Sequence, residues 1–119
     1  MKIEIDYIKD IDDFDKSRIV LRVNQATNLG LYLVAESSQV GDNSISSGVK
    51  NVYWLPDQEL KFGDLVVLYL KKGENRSVTN NDGTITYFYY WGLDKTFSPE
   101  NKSCVVLFEA SWMFKSINK

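Results

Sequence analysis

The run of aromatic residues at positions 87–91 is the feature of this 119-residue sequence that most clearly could bind a ligand. On a strand, successive side chains alternate between faces, so Tyr87, Tyr89 and Trp91 share one face while Phe88 and Tyr90 share the other. Exposed aromatic rings stack on sugars or anchor a protein partner, because they bury a large area at low entropic cost. Either one of these faces is open to a ligand, or both fill a core.

Further aromatic residues would extend that surface if their strands are neighbours: Tyr53, Trp54, Tyr69 and Trp112. The residues that we predict to contact a partner are Tyr53, Trp54, Tyr87, Tyr89 and Trp91. The alternative is a carbohydrate-binding module that uses the same rings as a stacking platform. Such a platform would need two or three coplanar rings that face solvent.

An acidic cluster offers a second kind of chemistry, because closely spaced aspartates can supply the oxygen ligands that calcium takes. The cluster consists of Asp10, Asp12, Asp13 and Asp15. It lacks the glycine and the distal glutamate of an EF-hand loop. We interpret it as a solvated acidic turn, with calcium binding as the alternative.

Paired carboxylates are a third candidate, because glycoside hydrolysis needs two acids that face one cleft. Glu36, Asp64 and Glu109 lie in or beside apolar strands. Nothing in the sequence pairs them, and acids at strand edges usually face solvent. A small carboxylate-based hydrolase is therefore only a second alternative.

Other active-site chemistries are excluded by residue types. The chain has no histidine, which removes Ser-His-Asp and Cys-His catalysis and every histidine-ligated metal site. Its one cysteine, Cys104, lies on an apolar strand and suits a structural position. We predict no catalytic residues, no metal ligands and no cofactor, and hence a protein that is not an enzyme.

The charge balance bears on partners and location. With 14 basic and 16 acidic residues, the net charge of −2 argues against nucleic-acid binding and against adsorption to anionic membranes. The first residues alternate charged and apolar types, which is not a secretory signal, and no apolar run reaches the roughly 18 residues of a membrane helix. We expect a cytoplasmic protein, with export left open.

The pattern of elements is that of an all-β protein of one domain, residues 1–119. Period-two alternation and β-branched runs predict seven strands over 3–7, 18–23, 30–36, 49–55, 65–70, 84–91 and 104–110, and an eighth over 112–117. Residues 37–48 read as a mobile loop, and Asp82-Gly83 as a tight hairpin turn. These elements favour an antiparallel immunoglobulin-like β-sandwich, with a small barrel as the alternative.

Several of these segments resemble the lamin-tail domain family, whose members are immunoglobulin-like sandwiches. The segment 28–33 is similar to that family's "Asp-Leu-x-Gly-aromatic-x-Leu" strand, and segments 54–56 and 60–67 to its "aromatic-x-Pro…Leu-x-x-Gly-x-x-Val" stretch. Residues 88–91, Asn101 and 105–108 are similar to its last core strands. The resemblance implies a non-catalytic module for interaction or scaffolding, with no fixed ligand.

The function that we expect is therefore binding of a protein partner through an aromatic face or an edge strand. Self-association through an edge strand belongs to the same expectation, because an open sandwich leaves edges that must be protected.

Overall fold

The computed structural model describes residues 1–98, 100 and 102–118, which form an all-β protein. Asn101, one of the residues that carry the lamin-tail resemblance, lies outside the described residues. Within the described part of the chain, no helix is long and apolar enough to cross a membrane. The expected all-β class is confirmed.

Eleven strands and one short 3-10 helix, Leu29–Leu31, are found among the described residues. The strands are β1 (Ile3–Lys9), β2 (Arg18–Val23), β3 (Thr27–Asn28), β4 (Tyr32–Gly41), β5 (Ser44–Ile45), β6 (Val52–Trp54), β7 (Glu59–Leu60), β8 (Leu65–Tyr69), β9 (Arg76–Thr79), β10 (Ile85–Tyr90) and β11 (Ser103–Glu109).

These strands form a five-stranded sheet, a four-stranded sheet and a small two-stranded ladder. The five-stranded sheet has the order β1-β2-β8-β10-β9. In the four-stranded sheet β4 is central, with β11 along one side and β5 and β6 along the other. Strands β3 and β7 pair with each other.

The prediction that all strands are antiparallel is wrong, because β8 and β10 run parallel, from Leu65 opposite Thr86 to Tyr69 opposite Tyr90. The number of strands also exceeds the predicted seven or eight. Strand β9 explains the parallel pair: the chain leaves β8, forms β9 at the sheet edge and turns back through a hairpin into β10. Two reversals return β10 to the direction of β8. The sequence predicts no strand over 76–79, because Val78 is the only apolar residue among these four; in the structure all four are exposed.

Two other segments differ from their predictions. Residues 37–48 are not a single loop, because β4 continues to Gly41 and forms a hairpin with β5. The Ser37 hydroxyl donates to the carbonyl oxygens of Ser46 and Gly48, at 3.0 and 2.7 Å, which holds the returning chain against β4. The strand indicated over 112–117 does not form.

The Asp82-Gly83 turn between β9 and β10 is present as predicted. Gly83 has a φ of 86°, a left-handed conformation that glycine adopts without steric cost. The Asp82 carboxylate accepts hydrogen bonds from the Thr84 backbone N–H and hydroxyl, at 3.0 and 2.6 Å. The turn therefore positions β10, the aromatic strand, at a fixed register beside β8.

One hydrophobic core is shared by the two large sheets. Alternate residues along β2, β8 and β10 enter it from one side, and alternate residues of β4 and β11 from the other. Its largest fully buried side chain is Tyr32, whose hydroxyl donates to Glu109 at 2.6 Å. Each of these strands consequently has an inner face toward this core and an outer face away from it.

Candidate interaction surface

Two of the five residues predicted to contact a partner lie inside the core. Tyr87 and Tyr89 occupy the inner face of β10, where 9% and 7% of their surface is exposed. Burial raises the pKa of both phenols, that of Tyr89 to about 12. The aromatic run does alternate as expected, but Tyr87 and Tyr89 are on its covered side and offer a partner little surface.

The remaining three residues lie near the four-stranded sheet. Tyr53 and Trp91 are half-buried and contact each other at 6.1 Å between ring centroids. Burial raises the Tyr53 pKa, and Trp91 also packs edge-on against the buried Phe97. Trp54 is half exposed, so it is the one residue of the five whose side chain is open to solvent. The structure thus brings Tyr53 and Trp91 together and separates Trp54 from them by pointing it outward.

The outer face of the five-stranded sheet carries aromatic residues that the prediction did not include as contacts. Phe88 and Tyr90 point away from the core on β10, and Tyr69 lies beside them on β8. All three are half-buried. We call the surface formed by Tyr69, Phe88, Tyr90 and Arg76 the aromatic face.

The rings of the aromatic face cover one another. Tyr69 and Tyr90 are nearly parallel, at 10°, with centroids 5.3 Å apart, which is too close for coplanar neighbours and describes stacked rings. Phe88 stacks on Tyr69 at 6.5 Å, and the Arg76 guanidinium lies 4.0 Å from the Phe88 centroid. The ring faces that a ligand would need are therefore already in contact with neighbouring side chains.

The outer face of the four-stranded sheet has a different composition. Cross-strand pairing aligns Phe108, Leu33 and Trp54 in one row, and Val106, Ala35 and Val52 in the next. Paired residues share a face of a sheet, so these six apolar side chains lie on the same side of it. Ala35, in the middle of its row, is 1% exposed, and the other five side chains are partly or half exposed. We call it the apolar face: Leu33, Ala35, Val52, Trp54, Val106 and Phe108.

Trp54 lies at one edge of the apolar face in a fixed orientation. Its indole N–H donates to the Gly30 carbonyl oxygen at 2.8 Å. The ring of Trp112 contacts it edge-on, with centroids 5.0 Å apart and an interplanar angle of 83°. Both indoles are about half exposed and present apolar surface to solvent. A partner that covers Trp54 would leave no unpaired N–H there, because that N–H already has its hydrogen bond.

The three candidate catalytic acids are engaged in separate places. Glu36 accepts hydrogen bonds from Asn51 and Ser103, at 3.0 and 2.8 Å, and Glu109 accepts one from Tyr32. The carboxylate of Asp64 accepts the backbone N–H groups of Lys61 and Ile85, both at 2.9 Å. Each carboxylate therefore has a local structural role, and their partners do not converge on one cleft.

The acidic residues at positions 10–15 form a turn between β1 and β2. Asp10 pairs with Arg18 at 2.8 Å, and Asp13 accepts the backbone N–H of Asp15 through its side chain. Over residues 1–98, 100 and 102–118, no group of three or more acidic or cysteine side chains is placed to hold one metal ion. Cys104 lies half-buried in β11, opposite Ser37.

A polar cleft of about 600 Å³ lies beside the four-stranded sheet and is lined by residues that include Glu36, Lys50, Asn51, Asp94 and Lys95. Both oxygens of Glu36 already accept hydrogen bonds there. The Glu36 carboxylate therefore has no oxygen without a protein partner, which makes the cleft a weaker candidate than the apolar face.

Comparison with known proteins adds no assignment: neither a scan against protein-family models nor a search of curated proteins gave a match. The likeness to lamin-tail domains stays a prediction from the sequence.

The apolar face was missed because no single segment carries it. Residues 33–35, 52–54 and 105–108 are each apolar without interruption, which is a signal for strands that are apolar on both faces. Only the pairing of β6 and β11 with β4 shows that the outward-facing residues of these segments form one surface.

Proposed function

We propose that this protein is a non-catalytic interaction domain that binds a protein partner through the apolar face. The observation that carries the proposal is the pair of rows Phe108–Leu33–Trp54 and Val106–Ala35–Val52, which contain no polar side chain although they face away from the core. An outward face of an antiparallel sheet is ordinarily polar, and contiguous apolar surface on a protein marks an interaction site.

Trp54 and Trp112 suit the anchor positions of such an interface. Tryptophan is enriched among the residues that dominate binding energy. The fixed orientation of the Trp54 indole lowers the side-chain entropy lost on binding, which is a cost of every interface.

The carbohydrate alternative has less support from ring geometry. A sugar stacks on an open ring face, whereas Tyr69 and Tyr90 cover each other and Trp54 and Trp112 meet at 83°. Neither arrangement is a coplanar platform.

The finer fold assignment is part of the proposal. Two sheets that share one core support a sandwich related to immunoglobulin-like and lamin-tail domains. The parallel β8–β10 pair is the feature that such an assignment must accommodate. A cytoplasmic location also stays a prediction.

The test compares two valines that are similarly exposed on edge strands of the two large sheets. Val52 is 49% exposed on edge strand β6 of the apolar face, and Val78 is 43% exposed on edge strand β9 of the other sheet. Val52→Lys and Val78→Lys make the same change of charge, size and strand propensity. Affinity capture from source cells would use the wild-type protein and both variants as baits, with mass spectrometry as the readout.

We expect mass spectrometry to identify at least one protein that the wild type and Val78→Lys retain and that Val52→Lys does not. Equal capture by all three baits would overturn the proposal that the apolar face binds the partner.

A further inference from the structure

The C-terminal segment after β11 carries apolar side chains that contact almost nothing. Met113, Phe114 and Ile117 are 90%, 82% and 99% exposed. We call residues 112–118 the tail. It leaves β11 next to the apolar face, where the Ala110 N–H donates to the Leu31 carbonyl oxygen at 3.0 Å and Trp112 contacts Trp54.

The tail and the apolar face are complementary in chemistry. The face offers uncharged apolar surface, most of it at Val52, Trp54 and Phe108, which are 41–50% exposed. Besides Trp112, the tail offers three large apolar side chains, and Lys115 is its one charged residue. One chain therefore carries both an exposed apolar face and an apolar segment that is not packed against it.

The areas involved indicate that neither part is enough alone. A stable interface takes about 800 Å² from each partner. A large side chain exposes about 150–200 Å² when free, so the three tail side chains offer roughly 500 Å². The exposed parts of the apolar face and Trp112 offer roughly as much again. An interface that uses face and tail together reaches the required area, whereas either one alone falls short.

We propose that the occupant of the apolar face is a second copy of this chain, arranged so that the tail of each copy lies on the apolar face of the other. The inference rests on the proposed function and names its partner. A two-fold arrangement requires that each contact occur twice, and one chain that carries both complementary parts satisfies this requirement. The net charge of −2 adds only weak repulsion between copies.

The test is sedimentation velocity over about a hundredfold range of protein concentration. Two variants probe the interface: Val52→Lys in the apolar face and Phe114→Ser in the tail. Each has a matched control, Val78→Lys for the valine and Phe62→Ser for the phenylalanine, since Phe62 is 76% exposed in the turn before β8. A reducing agent prevents dimers linked through Cys104.

We expect the wild type and both controls to form dimers, and both interface variants to dissociate with a Kd at least about tenfold higher. All five proteins should have the same circular dichroism spectrum, because the four substituted residues are 43–82% exposed and none lies in the core. Dimers of Val52→Lys or Phe114→Ser as strong as wild type would overturn the exchange of tails across the apolar face.

A wild type that stays monomeric throughout the range would also overturn the second copy as partner. It would leave the proposed function open to its own test, because affinity capture can still distinguish Val52→Lys from Val78→Lys. Failure of this inference and failure of the proposed function are therefore separate results.

Discussion

The two large sheets turn different surfaces away from the core. On the aromatic face, Tyr69, Phe88 and Tyr90 stack on one another and Arg76 covers the last ring, so the apolar area is protected within the sheet. On the apolar face, two rows of apolar side chains point away from the core, and five of the six remain partly or half exposed. Trp112 contacts Trp54 at the edge of these rows.

The number of aromatic residues on a strand is therefore a poor guide to a binding surface. The rings of an aromatic strand can pack against side chains of the same sheet, whereas a few apolar residues in register on three strands can leave an exposed apolar surface. Sequences usually depart from the alternation of apolar and polar faces at functional sites. The apolar face is such a departure, and the aromatic face is not, because its rings stack on one another and on the Arg76 guanidinium.

The largest effect that separates core from surface is expected at Tyr89. Tyr89→Ala should lower the free energy of unfolding by about 3–5 kcal/mol, because it removes a buried ring and leaves a cavity. Urea unfolding measures this loss, and Tyr89→Phe, which keeps the ring, is the control. A stability near that of wild type would return Tyr89 to the list of surface contacts.

The same residue predicts a dependence of stability on alkaline pH. Burial raises the Tyr89 pKa from 10.0 to about 12, so the folded protein keeps the phenol proton over a range in which the unfolded chain releases it. Stability from this group is complete below pH 10, falls as the pH rises from 10 to about 12 and then levels off. The fall is at most about 3 kcal/mol.

Unfolding midpoints in urea across this range would show the loss, and it should be smaller in Tyr89→Phe. The phenols of Tyr32 and Tyr87, which are buried, and of Tyr53, which is half-buried, leave part of it in that variant, because burial also raises their pKa values. If the free energy of unfolding of Tyr89→Phe fell with pH as steeply as that of wild type, the Tyr89 phenol would not be the source of the loss.

The aromatic face should contribute to folding and not to association. Phe88→Ala removes the stack on Tyr69 and the contact with Arg76, and because Phe88 is half-buried we expect a loss of about 2 kcal/mol. Sedimentation should show that the dimer is unchanged. If Phe88→Ala dissociated the dimer without lowering the free energy of unfolding, the interface would lie on the five-stranded sheet and not on the apolar face.

The smallest expected effect on folding is at the apolar face. Val52→Lys places its ammonium in solvent on an edge strand, so its free energy of unfolding in the monomer should stay within about 0.5 kcal/mol of wild type. Val78→Lys should behave alike. A loss of several kcal/mol in Val52→Lys alone would indicate that the apolar face stabilises its own fold.

Sequence reasoning predicted the strands that alternate clearly. Residues 18–23 form β2 with the expected bounds, and the strand predicted over 65–70 forms as β8, Leu65–Tyr69, in the middle of the five-stranded sheet. The inner side of β10 could not be chosen, because both of its faces carry large aromatic rings and the choice depends on which residues of β8 lie beside them.

The candidate surface was predicted only at Trp54. Strand β9 and the hairpin after β4 escaped prediction because exposed edge segments have no buried face to impose alternation. Without β9, the parallel pairing of β8 and β10 has no signal in the sequence. The apolar face required the pairing of three segments that lie far apart in the chain, and no local pattern specifies that pairing.

Hydroxyl-radical footprinting as a function of protein concentration reports both outer faces in one experiment. We expect Trp54, Phe108 and Phe114 to be labelled in dilute protein and to become protected as the concentration rises, while Tyr69, Phe88 and Tyr90 keep a constant, lower labelling. Protection that develops at Tyr69, Phe88 and Tyr90 while Trp54 and Phe108 stay reactive would contradict this expectation.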